Sequence, residues 1–183
     1  MKRVTRMEIL DYVTYEEQRD QFRKQIMKVK ESRRINVGGV LSFLFENTDT
    51  VRYQIQEMIR VERIVKETDI LHEIKTYNEL LGDSGELGCT LLIEIDDPDE
   101  REEKLTQWLD LPRHLYLSLE DESRIRASFD ERQIGDTRLS SVQYIKFNTE
   151  GKTPVAIGSD LPLLKAETAL TVDQKKALSE DLF

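Results

Sequence analysis

One stretch in the first third of the chain, FENTDTVRYQIQEMIRVERI at residues 45–64, combines a helical period with polar residues in unexpected places. Its apolar residues recur with the α-helical period and form one broad arc, which predicts an amphipathic helix over 48–64. Gln54 and Glu62 fall within that arc, and Glu57 falls on a separate patch. Because a buried, unpaired charge costs several kcal/mol, a glutamate inside the arc such as Glu62 must pair with a neighbour, become neutral or face a wet cleft.

The remainder of the first half also follows helical periods, interrupted once by a β-rich segment. Asn47 or Thr48 is expected to cap the helix over 48–64, because either side chain can accept a hydrogen bond from the first turn. The other predicted elements are a helix over 15–33, a strand over 35–45 with a bulge or bend at Gly38 and Gly39, and a helix from about Thr68 that stops at a left-handed Gly82.

From Cys89 onward, short alternating segments separated by turn signals replace the long periodic ones. The predicted elements are a buried strand over 89–95, a helix from Asp97 to about Trp108, a hairpin formed by 114–120 and 124–130, strands over 141–148 and 154–158, and a last helix from Thr171 to about Leu182. Helices followed by hairpin-connected strands predict an α+β fold, with an antiparallel sheet of about five strands packed with an N-terminal group of helices and a C-terminal helix. No linker divides the chain, so we expect one domain over 1–183.

The composition of the chain indicates the cellular compartment in which the protein works. Charged residues make up 34% and hydrophobic residues 38% of the chain, which predicts a well-solvated folded protein rather than a disordered one. No apolar run approaches the roughly 18 residues that cross a bilayer. The opening MKRVTRMEIL lacks the apolar region of a secretory signal, and the lone Cys89 is typical of a reducing compartment. We therefore expect a cytoplasmic protein that does not associate with membranes.

Charge is distributed unevenly along the chain. The net charge is −9, yet residues 1–66 carry 14 Lys and Arg against 10 Asp and Glu, while residues 67–183 carry 13 against 26. An acidic protein is a poor ligand for nucleic acid, because phosphate binding depends on clustered Lys and Arg. The asymmetry can steer a protein partner or a second copy of the chain, or it can reflect basic helices packed beside an acidic half.

Several motifs that suggest chemistry have ordinary structural explanations. The GDSG tetrapeptide at 82–85 matches the nucleophile motif of serine proteases, but it follows a helix and has no histidine and acid arranged around it. The glycines there lead from a helix into a strand, the reverse of a phosphate-binding loop. The two histidines lack metal-ligand spacing, and the acidic run 94–103 fits a helix start better than a calcium loop. We predict no metal and no cofactor.

The helix over 48–64 therefore carries the candidate site. Local pairing is one explanation, since Arg60 follows Glu57 and Lys66 follows Glu62 by about one helical turn. The alternative is a polar pocket or partner surface, in which Glu57 would act as a general base and Arg60 would anchor an anionic ligand. A carboxylate metal site is a third, weaker possibility. The candidate binding residues are Gln54, Glu57, Arg60, Glu62, Glu46 and Asn47.

The blocks FENTDTVRYQIQEMIRVERI, EIKTYNELL, GELGCTLLIEIDDPDER, WLDLPRHLYL and SSVQYIKFN together resemble a bacterial family of uncharacterised proteins, domain of unknown function three-five-zero-one. The resemblance covers most of the chain and implies a redox or oxidative-stress setting, because family members look like companions of genes for rubrerythrin-like and flavin or iron–sulfur oxidoreductases. It implies no activity and no catalytic residues. The signature positions are Glu46, Asn47, Asp49, Thr50, Gln54, Glu57, Arg60, Glu62, Tyr77 and Asn78.

Two functional hypotheses follow from these observations. The first is a non-enzymatic accessory protein that binds partner proteins or self-associates, which the charge asymmetry and the resemblance favour. The alternative is an enzyme or small-ligand binder whose polar pocket is lined by the helix over 48–64. A structure separates them by showing whether the polar residues of that helix face the core, a cleft or solvent.

Overall fold

Nine strands in two antiparallel sheets and six helices make up the computed structural model, which describes residues 1–183. The helices are α1 (Tyr12–Glu31), α2 (Thr48–Glu62), α3 (Glu67–Asn78), α4 (Pro98–Gln107), α5 (Leu111–His114) and α6 (Val172–Glu180). The strands are β1 (Arg34–Val37), β2 (Leu41–Phe45), β3 (Glu86–Ile93), β4 (Leu115–Leu119), β5 (Arg124–Arg126), β6 (Ser128–Phe129), β7 (Val142–Asn148), β8 (Pro154–Leu161) and β9 (Leu164–Ala169).

The sheets confirm the predicted α+β class. The larger sheet has the order β1-β2-β3-β7-β6, and the smaller has the order β5-β4-β8-β9. The sequence predicts one antiparallel sheet of about five strands, whereas the structure divides nine strands between two antiparallel sheets. Of the smaller sheet, the sequence predicts only a hairpin and one short strand. β9 (LKAETA) was not predicted, because it alternates half-buried and exposed positions without a run of β-branched or aromatic residues.

Two apolar clusters organise the packing. The main one joins the inner faces of both sheets to α4 and α6, with Phe43, Phe45 and Phe147 among its fully buried side chains. The second joins α2 and α3 to the N-terminal segment, which contributes Val4 and Ile9. The helical prediction for the first third of the chain is therefore confirmed, and the N-terminal segment completes that layer.

The segment predicted as one strand over 35–45 is a hairpin instead. Gly38 and Gly39 have φ angles of 61° and 77°, in the left-handed region that glycine tolerates without strain. The chain therefore reverses, and Val37 pairs with Leu41 across a short loop. The two glycines mark a turn rather than a bulge or bend within one strand.

The third helix also differs from its prediction, because α3 ends at Asn78 and Gly82 does not adopt a positive φ. Close approach of backbone explains the glycines of this region. A Cβ on Gly82 would lie 2.1 Å from the carbonyl oxygen of Glu86, and one on Gly88 would lie 1.7 Å from that of Leu80. The turn after α3 therefore rests directly on the backbone of β3.

The predicted starts of three helices are confirmed by their caps. The side chains of Asn47, Asp97 and Thr171 each accept a hydrogen bond from a backbone N–H in the first turn of α2, α4 and α6 respectively. None of the helices combines the length and the apolar character needed to cross a membrane.

Candidate functional site

Glu57 lies half-buried between α1 and α2, where donors from both helices converge on its carboxylate. Arg19 donates from Nε at 2.8 Å and from Nη2 at 2.9 Å, and the Tyr15 hydroxyl donates at 2.7 Å. Arg60 adds a contact from Nη2 at 3.2 Å. Burial alone would raise the pKa of Glu57, but the hydrogen bonds from Arg19 and Tyr15 outweigh it and lower the pKa to about 2.

This geometry weighs against Glu57 as a general base. A general base works best with a pKa near the working pH, and it must have a lone pair free to accept a proton from substrate. Glu57 is ionised at neutral pH and its oxygens are already occupied. The local partner Arg60 was predicted, whereas the stronger partner Arg19 comes from another helix and left no signal in the sequence.

Arg60 is likewise engaged rather than free to anchor an anion. Its guanidinium lies between Glu57 at 3.2 Å and Glu16 at 3.4 Å. The Nε atom is buried and has no hydrogen-bond partner. The cation is thus neutralised by carboxylates from α1 and α2, and the group holds the two helices together.

Glu46 and Asn47 fix the start of α2 against the larger sheet. Glu46 is 3% exposed and accepts hydrogen bonds from the hydroxyls of Thr50 and Thr90, the latter at 2.7 Å. Asn47 and Thr50 exchange hydrogen bonds between side chain and backbone in a capping box. Since Thr90 lies in β3, Glu46 ties the start of α2 to the sheet, while Asn47 caps the helix.

Gln54 and Glu62 are exposed, although the periodicity placed them within the apolar arc. The buried amide of this helix is Gln56, at 3% exposure, which the same periodicity placed on the opposite strip. Its side chain exchanges two hydrogen bonds with the backbone of Leu10. The arc is therefore rotated from its predicted position, because the N-terminal segment covers a face that sequence periodicity assigns to solvent.

The predicted pairing of Glu62 with Lys66 is also absent, for a local reason. α2 ends at Glu62, and Arg63 turns the chain with a left-handed φ of 52°. Lys66 then stands before α3 as its N-cap residue. The two side chains no longer share a helical face, so their spacing in sequence does not bring them together.

Arg60 borders a surface depression of about 580 Å³ together with Glu16 and Glu17, and Glu62 borders another of about 500 Å³ at the start of α3. The cavity between α1 and α2 is small. About 90 Å³ of space lies between α1 and α2, bordered by polar and aromatic side chains that include Tyr15, Arg52, Tyr53 and Gln56. Such a volume holds a few water molecules at roughly 30 Å³ each. None of the four predicted pocket residues of this helix, Gln54, Glu57, Arg60 and Glu62, lines it.

A larger groove of about 580 Å³ lies between α3 and the outer edge of the larger sheet. The side chains that shape it come from α3 and the turn after it on one wall, and from β6, β7 and the turn at Glu131–Gln133 on the other. The polar and aromatic side chains that set its chemistry include Glu73, Tyr77, Glu79, Gln133, Tyr144 and Lys146.

Two tyrosines give the groove its aromatic character. Tyr144 is 45% exposed and stands on β7, on the face opposite the buried Ile145 and Phe147. Tyr77 comes from α3 and is half-buried; burial, then the nearby charge of Glu73, raises its pKa, so the phenol stays a protonated hydrogen-bond donor. The exposed Gln54 lies near that hydroxyl but does not line the groove.

Negative charge on the α3 wall has no partner. Glu73 and Glu79 take part in no ion pair, whereas Asp130, on the opposite wall, is paired with Arg132. Lys146 points its ammonium group at the carbonyl oxygen of Leu81, 3.1 Å away, and at Glu86, 3.6 Å away. The groove therefore presents two free carboxylates beside two aromatic rings.

Cys89 borders the groove but offers no reactive thiol to it. Its side chain belongs to the main core cluster on the other face of the sheet. Burial raises the pKa of the thiol well above its ordinary value, and the nearby Glu46 adds to the effect. No group of three or more His, Cys, Asp or Glu side chains lies close enough together to hold a metal ion.

A second polar cluster covers the outer face of the smaller sheet, and its members satisfy one another. His114 Nδ1 lies 2.8 Å from Asp160 Oδ1, and Arg126 donates to Asp160 Oδ2 at 2.6 Å. These hydrogen bonds, that of Arg126 first, lower the pKa of Asp160 to about 2. Arg124 stacks on Tyr116 with its Cζ 4.3 Å from the ring centroid. Charges that are fully paired leave little for a ligand to bind.

Comparison with known proteins assigns the chain to a family. The family model described as Protein of unknown function (DUF3501) matches residues 3–182, which confirms the resemblance seen in the sequence. The chain belongs to the DUF3501 family. A similar solved structure, from Burkholderia pseudomallei K96243, is described as a novel protein of unknown function. It aligns with a TM-score of 0.91 and 28% identity over 100% of both chains.

None of the curated proteins compared with this family member matches it. The family and its solved relative establish the fold and no activity, so the groove and its chemistry carry the functional argument. Sequence reasoning did not identify that groove, because its walls come from segments near 73–80 and 128–146 that lie far apart in the chain. Two signals in the sequence pointed to it: Tyr144 in SVQYIKFN, an aromatic residue on the polar face of a predicted strand, and the signature position Tyr77.

Proposed function

We propose that this DUF3501 protein binds a partner protein, and that the groove between α3 and the β6–β7 edge receives a positively charged, partly apolar segment of that partner. The observation that carries the proposal is the pairing of Tyr77 and Tyr144 with the unpaired carboxylates Glu73 and Glu79 in one open groove. Aromatic side chains are enriched at protein interfaces, and a lysine or arginine gains from both an aromatic face and a carboxylate.

The size and the chemistry of the groove favour binding over catalysis. About 580 Å³ is enough for two or three side chains of an inserted segment. The Tyr77 hydroxyl is a protonated donor, and the ammonium group of Lys146 is held by Leu81 and Glu86. The alternative of a catalytic pocket on α2 loses its support, because Glu57 is a fully occupied anion. The redox setting implied by the family resemblance stays a prediction about which partner binds.

Site-specific photo-crosslinking in extracts of the native host tests the proposal. A photoreactive phenylalanine analogue replaces Tyr144 in the groove, and in a matched control it replaces Val172, which is 82% exposed at the start of α6. We expect a discrete adduct at position 144 only, attached to a partner segment that contains lysine or arginine. The double variant Glu73→Gln/Glu79→Gln should reduce the adduct several-fold, and added salt should do the same.

Two results would contradict the proposal. One is equal crosslinking at positions 144 and 172, which marks non-specific contact. The other is an adduct at position 144 whose yield does not respond to loss of the two carboxylates, because the charge complementarity that defines the partner would then be absent. An adduct with a small molecule in place of a protein would favour the ligand-binding alternative.

A further inference from the structure

The exposed edge of β7 is covered at Tyr144 by a side chain instead of a strand. Gln133 accepts a hydrogen bond from the Tyr144 N–H at 2.8 Å and donates to the Tyr144 carbonyl oxygen at 2.9 Å. One primary amide thus satisfies both backbone groups, as a residue of a neighbouring antiparallel strand would.

The strand that should cover this edge stops one residue short. β6 pairs with β7 through Ser128 with Lys146 and Phe129 with Ile145, and continuing that register would place Asp130 opposite Tyr144. At Asp130 the chain leaves the sheet instead, and its side chain caps the turn that contains Gln133. The next outward-facing N–H, that of Val142, is held by the Ser140 hydroxyl at 3.2 Å. From Val142 to Tyr144 the edge is therefore closed by side chains.

The same protein uses amide side chains twice more to hold extended backbone. Asn78 exchanges two hydrogen bonds with the N–H and the carbonyl oxygen of Val4, and Gln56 does so with Leu10. In those cases the backbone belongs to the chain's own N-terminal segment, which packs in an apolar cluster. At Tyr144 the amide occupies the edge alone and borders the open groove.

We propose that the partner segment binds as an added β-strand beside β7, with one residue opposite Tyr144 taking the two backbone hydrogen bonds that Gln133 now makes. This inference rests on the proposed function and specifies how the partner is held. Residues opposite each other in a sheet point to the same face, so the side chain opposite Tyr144 enters the groove. A lysine or arginine there lies on the wall side that carries Glu73 and Glu79.

Binding of an added strand costs no net hydrogen bonds, because the strand replaces the two that Gln133 makes to Tyr144. Two hydrogen bonds to an amide side chain are replaced by two to a backbone, so the balance is set by the rotational freedom that Gln133 regains and by the packing of the partner side chain in the groove. Exposed strand edges in native proteins are ordinarily blocked by charges, bulges or covering segments. At Tyr144 the block is one glutamine side chain, which a competing strand can displace.

A short alternating peptide tests the mode without knowledge of the natural partner. The probe is fluorescein-labelled Lys-Val-Lys-Val-Lys, and its comparison peptide carries a methyl group on the backbone nitrogen of every lysine, which keeps the charge and removes the donors. Fluorescence anisotropy should show binding of the first peptide and at least roughly tenfold weaker binding of the second. Gln133→Ala should tighten binding of the first peptide roughly three- to tenfold by removing the competitor.

Gln174→Ala is the matched control, because Gln174 donates to the Arg34 carbonyl oxygen at the opposite edge of the same sheet and should leave binding unchanged. Equal binding of the two peptides, or no effect of Gln133→Ala in a folded variant, overturns strand addition. So does the absence of binding by the unmethylated probe. These outcomes are distinguishable from failure of the proposed function, which is decided by the charge-dependent crosslink at position 144.

Discussion

At the scale of single residues, Glu57 shows how a polar residue on an amphipathic helix is used for structure. Four hydrogen bonds reach its carboxylate from Tyr15, Arg19 and Arg60. The side chain is 21% exposed, so water screens the ion pairs only in part. The network joins α1 to α2. It adds to the contacts of Tyr15 and Ile26, which are the two buried residues of α1.

The contribution of this network to the free energy of unfolding should depend on pH. The pKa of Glu57 falls from 4.5 to about 2 on folding, so its stabilising effect is present above pH 4.5 and disappears as the pH falls towards 2. Glu57→Gln should therefore lower the free energy of unfolding by about 1–2 kcal/mol at pH 7, and the gap to the parent protein should close in that acidic window. Urea unfolding of both proteins at a series of pH values measures this difference in the free energy of unfolding.

Glu62→Gln is the control for that experiment, because Glu62 is exposed at the end of the same helix. It should change the free energy of unfolding by less than about 0.5 kcal/mol at either pH. A gap for Glu57→Gln that persists unchanged at low pH would show that shape rather than charge accounts for the effect.

The two glutamines of α2 show what the sequence could and could not predict at this scale. Gln54 and Gln56 belong to one periodic helix, and the period alone assigned the first to the apolar arc and the second to solvent. The structure reverses this, with Gln56 buried and Gln54 exposed. The decisive partner is the backbone of Leu10, 46 residues away, and no local pattern encodes such a contact.

At the scale of elements, local chemistry predicted three helix starts, although the first long helix, predicted from residue 15, begins at Tyr12 after its cap Asp11. The capping side chains of Asn47, Asp97 and Thr171 contact the first turns of their own helices, so their signals are local. The end of α3 depends instead on how the following turn meets β3, a contact between distant segments. The β1–β2 turn was predictable in principle, since adjacent glycines favour the positive φ angles found there.

Gly88 provides a test of that contact between elements. Gly88→Ala should destabilise the protein by about 3 kcal/mol or more, since the new methyl group would lie 1.7 Å from the Leu80 carbonyl oxygen and neither backbone can yield without moving α3. Thermal unfolding followed by circular dichroism measures the change.

Gly39→Ala separates steric overlap from backbone strain. A Cβ at Gly39 meets no atom within 4 Å, but the residue has a φ of 77°. Its replacement should cost about 1 kcal/mol, the penalty for a left-handed alanine alone. Similar losses for both variants would mean that the β3 contact with the α3 turn relaxes easily.

At the scale of the whole molecule, the helical layer and the C-terminal end are joined by a buried ion pair. Arg33, after α1, donates to Asp181, after α6, from Nε at 2.6 Å and from Nη2 at 3.0 Å. Both residues are at most 9% exposed. The pair thus links segments 148 residues apart at a point that water scarcely reaches.

Removal of one partner should be far more harmful than removal of both. Asp181→Ala leaves a buried guanidinium without its anion and should cost about 3–5 kcal/mol, measured by urea unfolding. The double variant Arg33→Met/Asp181→Leu should recover most of that loss, because neither side chain then needs a counter-charge. Glu180→Ala, at an exposed neighbouring position, should have little effect. Equal losses in the single and double variants would show that packing, and not charge, is what matters there.

The groove also belongs to this largest scale, which explains why the sequence did not reveal it. Tyr77 and Tyr144 were each visible as aromatic residues in predicted elements, but their approach depends on how α3 lies across β3 and β7. Fold class follows from patterns within segments. A binding surface made by two distant segments requires their relative placement, which hydrophobic periodicity does not specify.

Enclosure of the lone thiol has a practical consequence. Cys89 is 3% exposed and is the one cysteine of the chain, so the folded surface carries no background reactivity towards maleimides. A cysteine introduced on the groove wall would accept a dye or spin label by itself. In the unaltered chain, the rate at which Cys89 is alkylated measures how often the main core opens to solvent, and this measurement needs no added label.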